Sequence, residues 1–515
     1  MNPEDDRDWE RQLAELPLGT GGFSVKTMKK VKERIAMRHR KPKRWAAVSA
    51  AALALAAALT VWSVRGGAGE WLNGRLSPEP SPSAADAAQE IRLKVQYWDS
   101  ESFMQNIGRP FLIRNPSYRF ETAYLQSWRS VGDYIRWVRQ ERPDVLQIPL
   151  AYVDDLARAG LLLPLDDRIA RDGYDLGGLY EPVVRILREA GAGKLYGLAP
   201  HFNTDALFYN RTLFEQNGVP LPQDGMTWDD VLRTAARFGG RSADGKPVYG
   251  LSFGGAYYGQ SATPFTGIEA IGATQGLQLL DAAGKRATAG TAAWRGIWEK
   301  VLPGYKDGWI ANESRPPIQG SVLMTDLYKT DPFLTGRTAM TVRSGSYLGD
   351  ILQAADKIGF RDEWGVVSQP VDPAAPDRAA RFDVEEIYAI NAMSPNAEAA
   401  WKLLKYIMSA EQAQREERYI PYRQMHTRQS GWPEDYRSKA AVFYRLSPDP
   451  AAVVGEAERE DLPGYRGKLS AIEEAGGKLS ASAAAGELPL DRALAELQRQ
   501  AEAAVETGAS AGVNP

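Results

Sequence analysis

The reactive chemistry of this sequence lies in aromatic rings, carboxylates, guanidiniums and amides, and hardly at all in thiols or imidazoles. The 515-residue chain has no cysteine, which excludes disulfides, Cys-ligated zinc, iron–sulfur clusters and thiol nucleophiles. Three histidines, His39, His201 and His426, are too few for a multi-histidine metal centre to be expected, and neither metal nor cofactor is expected. His201 reads as a structural histidine. Residues 250–254 (GLSFG) fit the G-x-S-x-G nucleophile pattern, with Ser252 as nucleophile and His426 as base. The following AYYGQSATPF does not read as the helix that such an elbow needs. The 65 acids leave a paired-carboxylate glycosidase open. Residues 240–246 (GRSADGK) come nearest to a phosphate loop, but Pro247 stands where a Ser or Thr must hold magnesium. Lys and Arg number 62, so the net charge is −3, and no basic excess points to nucleic acid.

Such side chains need elements to position them. Ile91, Leu93, Val95 and Tyr97 alternate with polar residues, the period of a strand. A helical stretch to about Arg114 follows, then a strand at 119–124, a helix at 128–140, a strand at 144–148 and a helix at 152–159 ending at Gly160. This β-α-β order predicts a parallel, doubly wound sheet, in which ligands bind beyond the strand ends. That rule selects Tyr97, Trp98 and Asp99, then Gln126 and Trp128, then Gln147. Strands are expected at 195–199 and 206–209, joined by residues 200–205. Thr227 caps a helix, and an α-rich region runs to about Gly320. Residues 333–342 and 363–367 restore the mixed pattern, and 381–390 reads as one strand. Ser394-Pro395 opens a helix with Trp401, Leu404 and Met408 on one face, and a last helix covers 490–506.

The first ninety residues differ in kind. Ten basic residues between Lys26 and Arg44 oppose one acid, Glu33, and the next twenty residues, 45–64, carry no charge. A helix of that length spans a bilayer core of about 30 Å, and the basic flank keeps the N-terminus in the cytoplasm. A cleaved leader and a buried Ala-rich helix are the competing readings. The basic segment reads as a topology signal on anionic lipid or as a docking site for a cytoplasmic partner. Residues 65–89, rich in Gly, Pro, Ser and Ala, read as a flexible linker.

Four segments, in order, are similar to the bacterial extracellular solute-binding proteins, the sugar- and oligosaccharide-binding components of ABC transporters. They are 143–167 (PDVLQIPLAYVDDLARAGLLLPLDD), 194–235 (KLYGLAPHFNTDALFYN through TWDDVLRTA), 333–348 (FLTGRTAMTVRSGSYL) and 389–414 (AINAMSPNAEAAWKLLKYIMSAEQAQ). The resemblance implies an α/β fold of the type II periplasmic-binding-protein kind: two lobes, a hinge and an interlobe cleft, here preceded by one transmembrane helix. Its expected layout is a basic cytoplasmic segment (1–44), a transmembrane helix (45–64), a linker (65–89) and an extracellular solute-binding domain (90–515). Lobe one would comprise about 90–199 and 381–420, and lobe two about 200–378 and 421–515. The implied protein is no enzyme and a monomer. It passes a carbohydrate or similar solute to an ABC permease with a separate ATPase, or else reports occupancy to a membrane signalling partner by lobe closure.

A sugar needs aromatic rings for its C–H faces and planar polar groups for its hydroxyl rim. The ligand-binding candidates are therefore Trp98, Asp99, Trp128, Asn203, Asp205, Tyr257, Tyr258, Trp309, Arg343, Ser346, Tyr347, Glu385 and Glu386. Trp98 and Asp99 also satisfy the strand-end rule. Asn203 and residues 343–347 rest mainly on the resemblance, and Tyr257 and Tyr258 on adjacency in a Gly-rich loop.

Overall fold

The computed structural model describes residues 90–507, apart from 126–129, 241–244, 255–262, 313–322, 420–423 and 430–433. These fall in one compact unit, Gln89–Pro515. Trp128, Tyr257, Tyr258 and the apolar stretch 45–64 lie outside the described residues. Among the described residues no helix is long and apolar enough to cross a membrane.

Two sheets organise the unit. The first is ordered β2-β1-β3-β10-β4, built from β1 (Ile91–Gln96), β2 (Tyr118–Ala123), β3 (Val145–Ile148), β4 (Gly197–Leu198) and β10 (Ile387–Ile390). β1 is parallel to β2 and β3, as the β-α-β order predicts, and β10 runs antiparallel to β3 and β4. Helix Val131–Glu141 covers this sheet. The Ser130 side chain accepts from the Asp133 amide at its start, and left-handed Arg142 ends it. Leu93, Val95, Phe103, Tyr134, Trp401 and Leu404 share the first core.

The second sheet centres on β5 (His201–Asn210), β6 (Tyr249–Phe253), β7 (Thr338–Ser344), β8 (Trp364–Ser368), β9 (Phe382–Asp383) and β11 (Met425–His426). The outer half of β5 pairs with β7 and β8. Its first residues pair with β11 and β9. Leu207, Trp228, Trp294, Trp298, Leu494 and Leu497 lie in the second core. Helix Tyr465–Ala484 docks closely there: a Cβ on Gly476 would meet the Phe265 ring at 2.5 Å. The C-terminal region serves both cores, since Val453 and Val454 of helix Pro450–Glu460 pack in the first and Leu494 in the second.

Three stretches expected from the pattern fold differently. Residues 201–205 are not a linker but the start of β5, because β11, β9 and β7 give their backbone ladder partners. The expected strand 381–390 is two, since Glu386 takes φ 56° and turns the chain from β9 in one sheet to β10 in the other. The α-rich region contains β6, whose Ser252 is buried inside the strand opposite Thr341. That is not the exposed strand-to-helix turn a serine nucleophile requires, so the G-x-S-x-G match is a core strand. By contrast, the capping box at Thr227 and Asp230 forms as its spacing predicts.

Candidate functional site

The chain passes between the sheets at β4–β5, at β9–β10 and between helix Ala410–Tyr419 and β11. Beside these crossings lies a cavity of about 920 Å³. The ends of β1 and β3 contribute Gln96, Tyr97, Trp98 and Gln147, as the strand-end rule requires. Asn203 and Asp205 come from β5, Ser344 from the end of β7, and residues 380–386 from the crossing between β9 and β10.

Trp98 is the aromatic platform. It is 44 % exposed and stacks on buried Tyr97, with ring centroids 3.8 Å apart and planes at 28°. One face is thus held by the protein while apolar surface remains for a ligand. Around it is a polar lattice. The Tyr134 hydroxyl donates to Gln96 Oε1, which also accepts from the Gln147 amide at 3.2 Å. On the opposite wall, Thr204 Oγ1 donates to the Arg381 carbonyl at 2.7 Å and accepts from Gln369 Nε2 at 3.0 Å, which fixes the backbone that carries Arg381.

Acids dominate the lining. Asp205, Asp383, Glu385, Glu386, Glu456, Glu460 and Asp461 face two guanidiniums, Arg381 and Arg466. Burial raises the Asp205 carboxyl despite Arg381 Nε at 3.5 Å from its Oδ2. Burial and neighbouring Asp383 push Glu385 up to about 7. Burial also raises Glu456 and Asp461, the latter accepting from the Tyr152 hydroxyl at 2.9 Å. Ionised, such groups are strong acceptors for hydroxyl or ammonium donors; protonated, each offers one O–H donor as well.

Of the candidates named from sequence, the structure brings Trp98, Asn203, Asp205, Glu385 and Glu386 to this cavity. It gives the other described candidates different work. Asp99 caps helix Ser100–Phe103, its Oδ1 accepting from the Ser102 amide at 2.8 Å, and the Ser102 hydroxyl, with that amide, holds its carboxyl below the usual range. Trp309 packs against the second core, and its carbonyl accepts from the Gly250 amide at 2.8 Å. Arg343 pairs with Asp331 at 2.6 Å and lies 4.7 Å above the ring of Tyr347, which is buried in the first core. Ser346 meets Ser344 Oγ at 2.8 Å, and Ser344 is the one that lines the cavity. Arg381, Asp383 and the acids of helix Pro450–Glu460 were missed. The pairing of β9 with β5 is the signal for the first two. No local motif marks the helix.

A family model of bacterial extracellular solute-binding proteins matches residues 138–414, more than half of the chain. An arabinooligosaccharide-binding protein of Bacillus subtilis is 32% identical over 106 residues, which are 21% of this chain and 23% of that relative. The match thus spans about a quarter of the relative's length. Among solved structures, an extracellular solute-binding protein of Alicyclobacillus acidocaldarius superposes with TM-score 0.58 and 14% identity, covering 81% of this chain and 99% of that one. The sugar-binding protein MalE of Xanthomonas citri gives TM-score 0.54 and 16% identity over 81% of this chain and 98% of that one. At such identities the likeness is one of fold: two α/β lobes of the periplasmic-binding-protein kind. The segment order, the crossings between sheets and the family match agree, and the chain belongs to the bacterial extracellular solute-binding proteins.

Proposed function

We propose that this protein captures an oligosaccharide or similar polar solute in the cleft between its lobes and delivers it unaltered to an ABC permease. Trp98 carries the reading: an exposed indole, pre-stacked on Tyr97, stands beside carboxylates and amides at the chain crossings. Asn203, Asp205, Glu385 and Glu386 supply hydroxyl acceptors and donors from the other wall. The arabinooligosaccharide-binding relative makes arabino-oligosaccharides the first solutes to try. We assign residues 90–515 to the extracellular domain, 65–89 to a linker, 45–64 to an uncleaved membrane anchor and 1–44 to the cytoplasm.

The test is a thermal-shift and calorimetric panel of short neutral and amino oligosaccharides, peptides and polyamines on the purified full chain. Ligand that binds only the native state raises the melting temperature. A saturable rise with a saccharide supports the reading, and a panel without any shift overturns it. The ten basic residues before the apolar stretch favour a second reading, a tethered sensor. Deleting residues 1–40 leaves uptake intact for a transport protein and abolishes the output of a sensor.

A further inference from the structure

Two of the three histidines, far apart in sequence, meet where the chain crosses between the lobes. His201 opens β5 and His426 ends β11; the strands pair with these residues opposite one another, and the ring centroids lie 5.0 Å apart. Glu416, on helix Ala410–Tyr419, reaches both. Its Oε2 is 2.8 Å from His201 Nε2 and 3.8 Å from His426 Nδ1. Gln412, one turn earlier, donates to the other oxygen, Oε1, at 2.7 Å, so the carboxylate is fixed with Oε2 toward the rings.

The far nitrogen of each ring faces a carboxylate of its own. His426 Nε2 is 2.9 Å from Glu417 Oε1, and His201 Nδ1 is 3.4 Å from Glu386 Oε2. Metal-ligating histidines are oriented in this manner, an outer carboxylate taking the N–H of one nitrogen and leaving the other basic and aimed inward; Glu417 is placed to do so for His426, while Glu386 meets His201 Nδ1 as an ion-pair contact without a hydrogen bond. His201, His426 and Glu417 are all buried. One ligand atom each from His201, Glu416 and His426 lies within 4.8 Å of the others. Zinc bonds of about 2.0–2.2 Å in a tetrahedron set ligand atoms about 3.4 Å apart, so the 2.8 Å pair opens by about half an ångström and the wider pairs close, by about 1.4 Å at most. A second cavity, about 720 Å³, opens on His201, Glu386, Glu416 and His426 and leaves room for a fourth ligand.

We propose that His201, Glu416 and His426 bind a divalent cation of the zinc class, with Glu386 and Glu417 orienting the two imidazoles. Two nitrogens and one carboxylate oxygen with an open fourth position suit that ion. A dication there is met by the carboxylates of Glu386, Glu416 and Glu417. Because Glu416 belongs to a helix beside the first core and the histidines to β5 and β11, the ion ties that helix to the strands at the crossing. It thereby stiffens the lobe hinge.

The experiment is calorimetric titration of zinc ion alone into metal-stripped full-length protein at pH 8, with melting temperature read in parallel. One ion per chain and a higher melting temperature are expected. Glu416→Gln and His426→Gln should each weaken binding at least about 100-fold, and Glu417→Gln about 10–100-fold. His39→Gln, outside the cluster, should bind as the natural chain does. Cobalt ion on the unaltered chain gives a reading that needs no variant: intense visible ligand-field bands of a low-coordinate nitrogen–oxygen site are expected. Absence of saturable zinc binding, undiminished binding by Glu416→Gln and His426→Gln, or a weak octahedral cobalt spectrum would overturn the proposal.

Discussion

Replacing Trp98 by alanine separates ligand binding from folding. The indole is 44 % exposed, and of the roughly 250 Å² that such a side chain can bury, about 110 Å² remains open. A saccharide stacked on that face covers about 80 Å² of it. At about 25 cal/mol per Å² this contributes about 2 kcal/mol, or about 30-fold in affinity. The other roughly 140 Å² already packs on the protein, the stack on Tyr97 included, so at the same coefficient the fold loses up to about 3.5 kcal/mol. Calorimetry with the saccharide that gives the largest thermal shift measures the first quantity, and denaturant unfolding of the ligand-free chain the second. A change in Kd below about threefold would refute the platform. A stability loss of that size with Kd unchanged would make Trp98 a structural residue.

Glu385, pushed up to about 7, is largely neutral at pH 6 and charged at pH 8. A cationic amino-oligosaccharide should therefore bind more tightly as pH rises through about 7, and Glu385→Gln should flatten that dependence in calorimetry at the two pH values. Asp350 is buried, accepts from the Tyr328 hydroxyl at 3.3 Å, and is raised by burial from 3.8 to about 7. The folded chain thus binds an extra proton between those values, and stability is lost as pH rises through that window and stays low above it. Asp350→Asn should gain about 1–3 kcal/mol at pH 8 and little at pH 4, read by denaturant unfolding. Removing the capping box with Thr227→Ala should cost about 1 kcal/mol, seen as a melting temperature about 1–2 °C lower with unchanged ligand affinity. Mass spectrometry of membrane-extracted protein should find peptides N-terminal to Trp45; chains that all start after Ala58 would mean a cleaved leader.

Local chemistry made much of the fold legible. Alternation at Ile91–Gln96 and the buried runs at β3 and β8 identify strands because side chains on a strand alternate between its faces. The Thr227 box identifies a helix start because it satisfies two amides within four residues. The strand-end rule found Trp98 because a parallel sheet presents its carboxyl ends to a crevice, but it also named Asp99, whose short carboxylate is taken by the amide of Ser102. Arg343, named mainly on the family resemblance, is paired with Asp331, a partner twelve residues away that no local pattern shows.

The sequence by itself determined the β-α-β order of the first sheet, the absence of thiol chemistry, the aromatic and carboxylate character of the ligand candidates and the family resemblance. Each of these depends on residue identity or on spacing within one element. Only the tertiary structure decided that β5 is continuous, that residues 381–390 divide at Glu386, and that His201, Glu416 and His426 share a pocket. Those features depend on pairing between segments distant in the chain. Backbone ladder bonds and side-chain contacts of that kind leave no periodicity in either partner alone.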